Sequence, residues 1–245
     1  MKNHPELADS SNFQHNFLIE LPSVYKEISG IVLIPSLTLG KKSKKFLRQS
    51  GFRLNNGPLL ADFCFPEIIS TDANKKKFIL ISPFIGYSGI CYILELIMSC
   101  NDSLDVCFFG TACSIISNEN VTTQFTEPEL FSIETDIGEI SEIGKIENSK
   151  SECSDHLLSI INPVSETTSK IRHLSSNHGV SLIDMECSYI YKVTKKYNSK
   201  FYPLMIISDY WDLVKNRHYL GTRADKLDGT LQGLERLKQL LLHHT

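Results

Sequence analysis

Five short apolar runs, each closed by a proline, a glycine, a serine or a carboxylate, constrain this chain more than any other feature. They are Ile31-Val-Leu-Ile-Pro35, Lys77 to Pro83, Asp105 to Gly110, Ser181 to Asp184 and Phe201 to Ser208. Each is too short for an apolar helix and reads as a buried strand. Between them lie stretches with helical spacing. Lys41 to Arg48 carries five basic side chains; Ser88 to Cys100 and Glu186 to Tyr197 follow strands directly. Ser165 to His178 is closed by Gly179 as a C-cap, and Lys226 to His243 sets Leu231, Leu234, Leu237 and Leu241 along one side. Strands alternating with helices predict an α/β layer fold around a largely parallel, buried sheet. The 245 residues show no internal repeat and no linker. Residues 28–245 therefore read as one domain behind an N-terminal arm, residues 1–27.

Composition removes several function classes. Hydrophobic residues make up 42% and charged residues 22%, enough to build a core. Lys plus Arg is 25 against 28 for Asp plus Glu, a net charge of -3, which argues against a nucleic-acid partner. The polar N-terminus, Met1-Lys-Asn-His-Pro-Glu-Leu-Ala-Asp-Ser-Ser11, holds no apolar core of a signal peptide. Phe78 to Met98 is long enough to span a bilayer and only Glu95 in it is charged. Pro83, Gly86, Ser88 and Gly89 divide it, so it reads as strand, glycine turn and helix, with no membrane span. Seven cysteines occur without a C-x-x-C, and no H-E-x-x-H or clustered histidines are present. No metal site and no cofactor are expected, and the location reads as reduced and cytoplasmic. Glu134 to Asp155 holds seven acids against two lysines and predicts exposed strands and loops.

Three constellations could carry chemistry. Gly40-Lys-Lys-Ser43 fails as a phosphate loop, because Pro35 stands where the first glycine belongs and Lys42 where Ser or Thr belongs. Gly86-Tyr-Ser-Gly-Ile90 sits between strand and helix like a nucleophile elbow, but Ile90 occupies the second glycine position. Its glycines suit a turn that lets a ligand or a neighbouring backbone approach. The third is a pair of strand ends. Leu182-Ile-Asp-Met-Glu186 ends one strand at carboxylates, and Met205-Ile-Ile-Ser-Asp209 ends another 23 residues later. Such acids either cap the following helices or point into the crevice where open α/β sheets bind ligands.

Asp184-Met185-Glu186 followed by Ser208-Asp209 resembles the signature of the purine nucleoside phosphorylase / uridine phosphorylase superfamily, which includes methylthioadenosine/S-adenosylhomocysteine nucleosidases. Ile85-Gly-Tyr-Ser-Gly-Ile90 with Glu95-Leu-Ile97 is similar to its glycine turn and helix. Phe109-Gly-Thr-Ala112 is similar to its G-[ST]-x-G strand end, and Ile31 to Pro35 to its first strand. The resemblance implies a three-layer α/β/α fold with a central mixed, largely parallel sheet. It implies cleavage of a nucleoside N-glycosidic bond through an oxocarbenium-like ribosyl cation. Glu186 would bind the ribose hydroxyls and Met185 would pack on the sugar. Asp209 would hold or deliver the proton at purine N7, oriented by Ser208. Thr111, Gly86 and Ile161 would complete the substrate site, and a homodimer or higher homo-oligomer would be the assembly.

The departures matter as much. Phosphorolytic members use a G-D-P-x-R loop after the first strand and an Arg before G-[ST]-x-G. Here the loop is Ser36-Leu-Thr-Leu-Gly40, with Gly40 at the Arg position, and Phe108 stands at the second. Nucleosidase members place a glutamate in the first loop, whereas Pro35 to Gly40 contains no carboxylate. An anion without a guanidinium clamp is poorly held, so hydrolysis is expected over phosphorolysis. The alternatives are a nucleoside-binding scaffold without turnover, and a pocket recruited for a different reaction on a non-nucleoside substrate.

Overall fold

The computed structural model describes residues 27–57, 66–72, 75–84, 87–101, 104–116, 124–135, 139–146, 155–161 and 167–243. Within them, twelve strands share one mixed sheet. In chain order these are β1 (Gly30–Leu33), β2 (Arg53–Asn56), β3 (Glu67–Ser70), β4 (Lys77–Ile81), β5 (Asp105–Ile116), β6 (Phe125–Thr126), β7 (Leu130–Glu134), β8 (Ile140–Lys145), β9 (His156–Ser159), β10 (Leu182–Asp184), β11 (Phe201–Asp212) and β12 (Arg217–Leu220). The helices are α1 (Leu37–Gln49), α2 (Tyr87–Cys100), α3 (Thr168–His178), α4 (Cys187–Lys196) and α5 (Arg223–His243). All five runs singled out above are strands of this sheet.

The sheet's centre is parallel: β4, β1, β5 and β11 run the same way, as do β7, β9 and β10 among themselves. The antiparallel partners β2, β3, β6, β8 and β12 lie toward the margins. One antiparallel contact falls in the middle, where β10 meets the second half of β5 through Leu182–Ser114 and Ile183–Cys113. β5 is long because it serves three neighbours, β1 and β11 on its first half and β10 and β11 on its second.

Alternation along the central strands sends residues to two cores. Ile31, Leu33, Ile79, Val106, Phe108, Met205 and Ile207 pack beneath α2 and α4 with Ile93, Leu94, Ile97 and Ile190. Val32, Leu80, Cys107, Phe109, Leu204 and Ile206 pack beneath α1 and α5 with Leu39, Leu47, Leu234, Leu237 and Leu241. A third cluster joins α3, through Ile171 and Leu174, to Ile115, Leu158 and Ile183. Helices on both faces of one sheet make the three-layer α/β/α architecture. Gly179 closes α3 at φ 64°, a left-handed cap that glycine reaches without strain. The acidic stretch after Glu134 contains β8, whose residues are exposed or half-buried. Leu231 departs from the expected stripe: it is 49% exposed, while Leu234, Leu237 and Leu241 are buried.

Helix α5 lies close to the sheet because Gly229 and Gly233 face it. A Cβ at Gly229 would stand 2.2 Å from the Gln124 carbonyl oxygen, and one at Gly233 would stand 2.5 Å from the Phe109 ring. Alanine at position 229 gains about 1 kcal/mol in helix propensity but must push backbone apart, which costs typically ~1–3 kcal/mol. Gly229→Ala is therefore expected to lower the urea midpoint at unchanged m; an unchanged or raised midpoint would mean that α5 shifts outward freely.

Candidate active site

The two carboxylate motifs reach the same stretch of β5 from opposite sides. Cys113 pairs with Ile183 of β10 on one flank and with Asp209 of β11 on the other. With neighbouring strands ~4.8 Å apart, the β10 and β11 backbones are separated by roughly 10 Å at this level. Two details differ from the sequence expectation. β10 runs antiparallel to β5 and β11 parallel to it, so the two acids sit on strands of opposite direction. Asp209 also lies inside its strand, because the β5–β11 ladder slips by one residue at Ser208 and continues to Asp212. What the two strands share is a common partner, Cys113–Ser114.

On the β10 side, Asp184 is the structural acid. Its Oδ2 accepts hydrogen bonds from the backbone N–H of Cys187 at 2.7 Å and Glu186 at 3.2 Å, and its Oδ1 accepts from the Ser159 hydroxyl. Ser159 in turn accepts from the N–H of Ser188 at 2.7 Å. Two side chains thus satisfy the first turn of α4, whose dipole favours negative charge there. Of the two acids, Asp184 does the capping; Glu186, at the N-cap position, makes no side-chain cap bond. Burial raises the Asp184 carboxyl to about 6 against the hydrogen bonds that favour its charge. Burial and then the charge of Asp184 raise Glu186 to about 7. Glu186 is half-buried, and Met185 beside it is 40% exposed.

Ile161 follows β9, two residues past the Ser159–Asp184 pair, and its N–H reaches Glu134 Oε2 at 3.4 Å. Glu134 is buried and paired with Lys170 at 2.6 Å, which fixes the segment around Ile161. Thr111, exposed on β5, alternates onto the same face as Cys113. Gly86 lies outside the described residues. In the first loop, Ser36 is the N-cap of α1 and accepts from Leu39 N–H at 3.3 Å. Lys41 and Lys42 are exposed on that helix.

On the β11 side, both oxygens of Asp209 are held. Ser208 Oγ donates to Oδ1, and His218 Nε2 stands 2.7 Å from Oδ2. His218 comes from β12, which returns along β11 with Trp211 opposite His218 and Leu220 opposite Asp209. Asp209 and His218 are thus diagonal neighbours on one face of the hairpin. Sequence reading missed His218. The signal was the turn Leu213–Asn216, in which Asn216 adopts a left-handed φ of 51°.

Cys113, Asp209 and His218 also bring three ligand-type atoms within 4.8 Å of one another, a grouping absent from the sequence expectation. A tetrahedral ion with ~2.0 Å bonds to nitrogen and oxygen holds those two atoms roughly 3.3 Å apart. Asp209 and His218 are closer than that and hydrogen-bond to each other directly, so the arrangement is that of a dyad. A separate groove of about 510 Å³, lined by Lys145, Lys195, Lys200 and Phe201, lies at the far end of β11.

No family model matches the chain, and no curated protein matches it in sequence. Solved structures do match in fold. A 5′-methylthioadenosine/S-adenosylhomocysteine nucleosidase from Helicobacter pylori with butyl-thio-DADMe-Immucillin-A aligns at 13% identity and TM-score 0.60, over 87% of this chain and 98% of that one. Purine nucleoside phosphorylase from Toxoplasma gondii in complex with immucillin-H aligns at 10% and 0.62, over 89% and 92%. A uridine phosphorylase structure from the oomycete Phytophthora capsici aligns at 9% and 0.63, over 89% and 91%. The chain therefore shares the fold of these nucleosidase and phosphorylase structures. Among the described residues, no helix is long and apolar enough to cross a membrane.

The raised Glu186 carboxyl has a stability consequence. Its value in the fold, about 7, exceeds the ordinary 4.5, so the folded chain binds more protons between those values. This contribution grows as pH falls from above 7 and levels off near the ordinary value. Glu186→Gln is expected to raise the denaturation midpoint at about pH 8 and leave it nearly unchanged at about pH 5. An equal shift at both pH values would contradict the burial argument.

Proposed function

We propose that the protein cleaves the N-glycosidic bond of a purine-type nucleoside or a related ribosyl compound, by hydrolysis in preference to phosphorolysis. The observation that supports this reading is that β10, which leads into Glu186, and β11, which carries Asp209, pair with the same residue of β5, Cys113, from its two sides. In it, Glu186 accepts hydrogen bonds from the ribose hydroxyls, with Met185 against the sugar and Ile161 toward the base. Asp209, oriented by Ser208, delivers a proton to N7 of the base. The glycosidic C–N bond breaks with its electron pair leaving on the base, and water adds to the ribosyl cation and releases a proton. An oxocarbenium-like centre captures water without a strong base, so the lack of a carboxylate in Pro35–Gly40 is compatible with turnover.

Hydrolysis is favoured because neither position that would carry a phosphate-binding arginine does so. Gly40 is packed against Ser82, and Phe108 is buried beneath α2 and α4. Thr111 alone remains to orient the attacking oxygen. Homo-oligomerisation belongs to the same proposal: Leu220, Leu227 and Leu231 leave an exposed apolar group on β12 and the start of α5, each 49% exposed or more. So does a cytoplasmic location, which fits the free thiols of Cys91, Cys100, Cys107, Cys113 and Cys187.

The test is incubation with adenosine, inosine, uridine and 5′-methylthioadenosine, with and without phosphate, followed by chromatography for free base. Release independent of phosphate is expected. Asp209→Asn should reduce it by at least about 10²-fold with the fold retained; unchanged release in that variant sinks the assignment. The missing first-loop carboxylate favours one rival, a nucleoside-binding protein without turnover. Calorimetry showing tight binding with no released base would establish that rival.

A further inference from the structure

Asp209 faces a problem as an acid. Its Oδ1 accepts from Ser208, and with the carboxylate ionised the hydrogen shared with His218 sits on Nε2, since a carboxylate only accepts. With a donor at each oxygen, the ionised carboxylate has no proton to give. His218 is an adjacent source. His218 is 41% exposed while Asp209 is 22% exposed, so the imidazole bridges solvent and the inner carboxyl. Imidazole is also the side chain that gains and loses a proton near neutrality.

We propose that His218 is the proton store for Asp209, a positioning residue that reloads the acid in each turnover. The inference rests on the proposed glycosidic cleavage. As the C–N bond breaks, the base takes a proton from Asp209 and Asp209 takes one from the His218 imidazolium. The water that adds to the ribosyl cation releases a proton to solvent, from which His218 is recharged. Atoms balance as nucleoside plus water giving ribose and base.

The surroundings of His218 suit the role. From β11, the Asp209 carboxylate meets its Nε2 and the Trp211 ring lies 5.3 Å from its own. From β5, the Cys113 thiol stands within 4.8 Å of the dyad. The neighbouring charges have partners of their own: Arg217 lies over the Tyr219 ring, Lys215 pairs with Asp212 at 3.5 Å, and Arg172 of α3 donates to the Leu213 carbonyl. Asp209 is thus the acid that His218 serves.

Two variants of His218, compared with Asp209→Asn, test the proposal, with adenosine, inosine, uridine and 5′-methylthioadenosine as probes. His218→Gln keeps a hydrogen-bond donor but cannot carry the proton. It should lower kcat about tenfold to a hundredfold at neutral pH with little change in KM, and lose the fall in kcat expected of the parent as pH rises. His218→Ala should lose at least as much and recover part of it with added imidazole, in proportion to the imidazolium present. Parent-like rates and pH profile in His218→Gln, alongside an inactive Asp209→Asn, would overturn the store and leave the cleavage reading standing. Parent-like release in Asp209→Asn would overturn both. Loss of parental activity on chelation, restored by zinc, would also overturn the store, since Cys113, Asp209 and His218 would then be ligands.

Discussion

The ladder between β5 and β11 is the constraint on which the rest depends. It runs from Phe201–Val106 to Asp212–Ile116, the longest strand pairing in the sheet. Its first half supplies Phe108, Phe109, Leu204 and Met205 to the two cores. Its second half extends beyond the β1 pairing and gives β10 and β12 an edge to join. A shorter β5 would bury the same core residues yet leave β10 and the second half of β11, which carry Asp184 and Asp209, without their shared partner strand. The site is thus an extension of the core ladder, built from backbone hydrogen bonds more than from loops.

The electrostatics follow from that position. Asp184 is buried because β10 is clamped between β5 and β9, and it is tolerated because Ser159 and the first N–H groups of α4 turn toward it. Glu186 lacks comparable hydrogen bonds of its own, and burial first and then the charge of Asp184 make it hold its proton longer. Hydroxyl donors from a ligand would supply the bonds it lacks. Asp209 is the opposite case, with a donor at each oxygen.

Much of this was legible in the sequence, and the limits have physical causes. The five central strands announced themselves because burial on both faces demands continuous apolar runs. β2, β7 and β12 did not, since strands of only four or five residues, such as Arg53-Leu-Asn-Asn56 and Arg217-His-Tyr-Leu220, carry neither a continuous apolar run nor a clear alternation. The carboxylate motifs were legible because they end apolar runs, as was Gly179, whose left-handed cap only glycine adopts cheaply. Which of Asp184 and Glu186 caps α4 was not legible, because both stand at cap spacing and the choice lies in side-chain direction. His218 was invisible for a different reason: it reaches Asp209 only through a hairpin register, which a one-residue slip would change.

That sensitivity to register gives the irregularity at Ser208 its significance. Before it, even-numbered residues of β11, Leu204 and Ile206, face α1 and α5, and odd-numbered Met205 and Ile207 face α2 and α4. After it the parity is inverted: Tyr210 joins the α2–α4 core, while Trp211 packs with Cys113 in the third cluster. In an unbroken strand Asp209 would point with Ile207 into hydrocarbon and Tyr210 would turn outward. The extra residue works as a phase shifter, letting one strand be a wholly apolar core element at its start and a presenter of acid at its end. An active site on this scaffold can therefore arise or disappear by a change of one residue in strand length, with every side chain chemically unaltered.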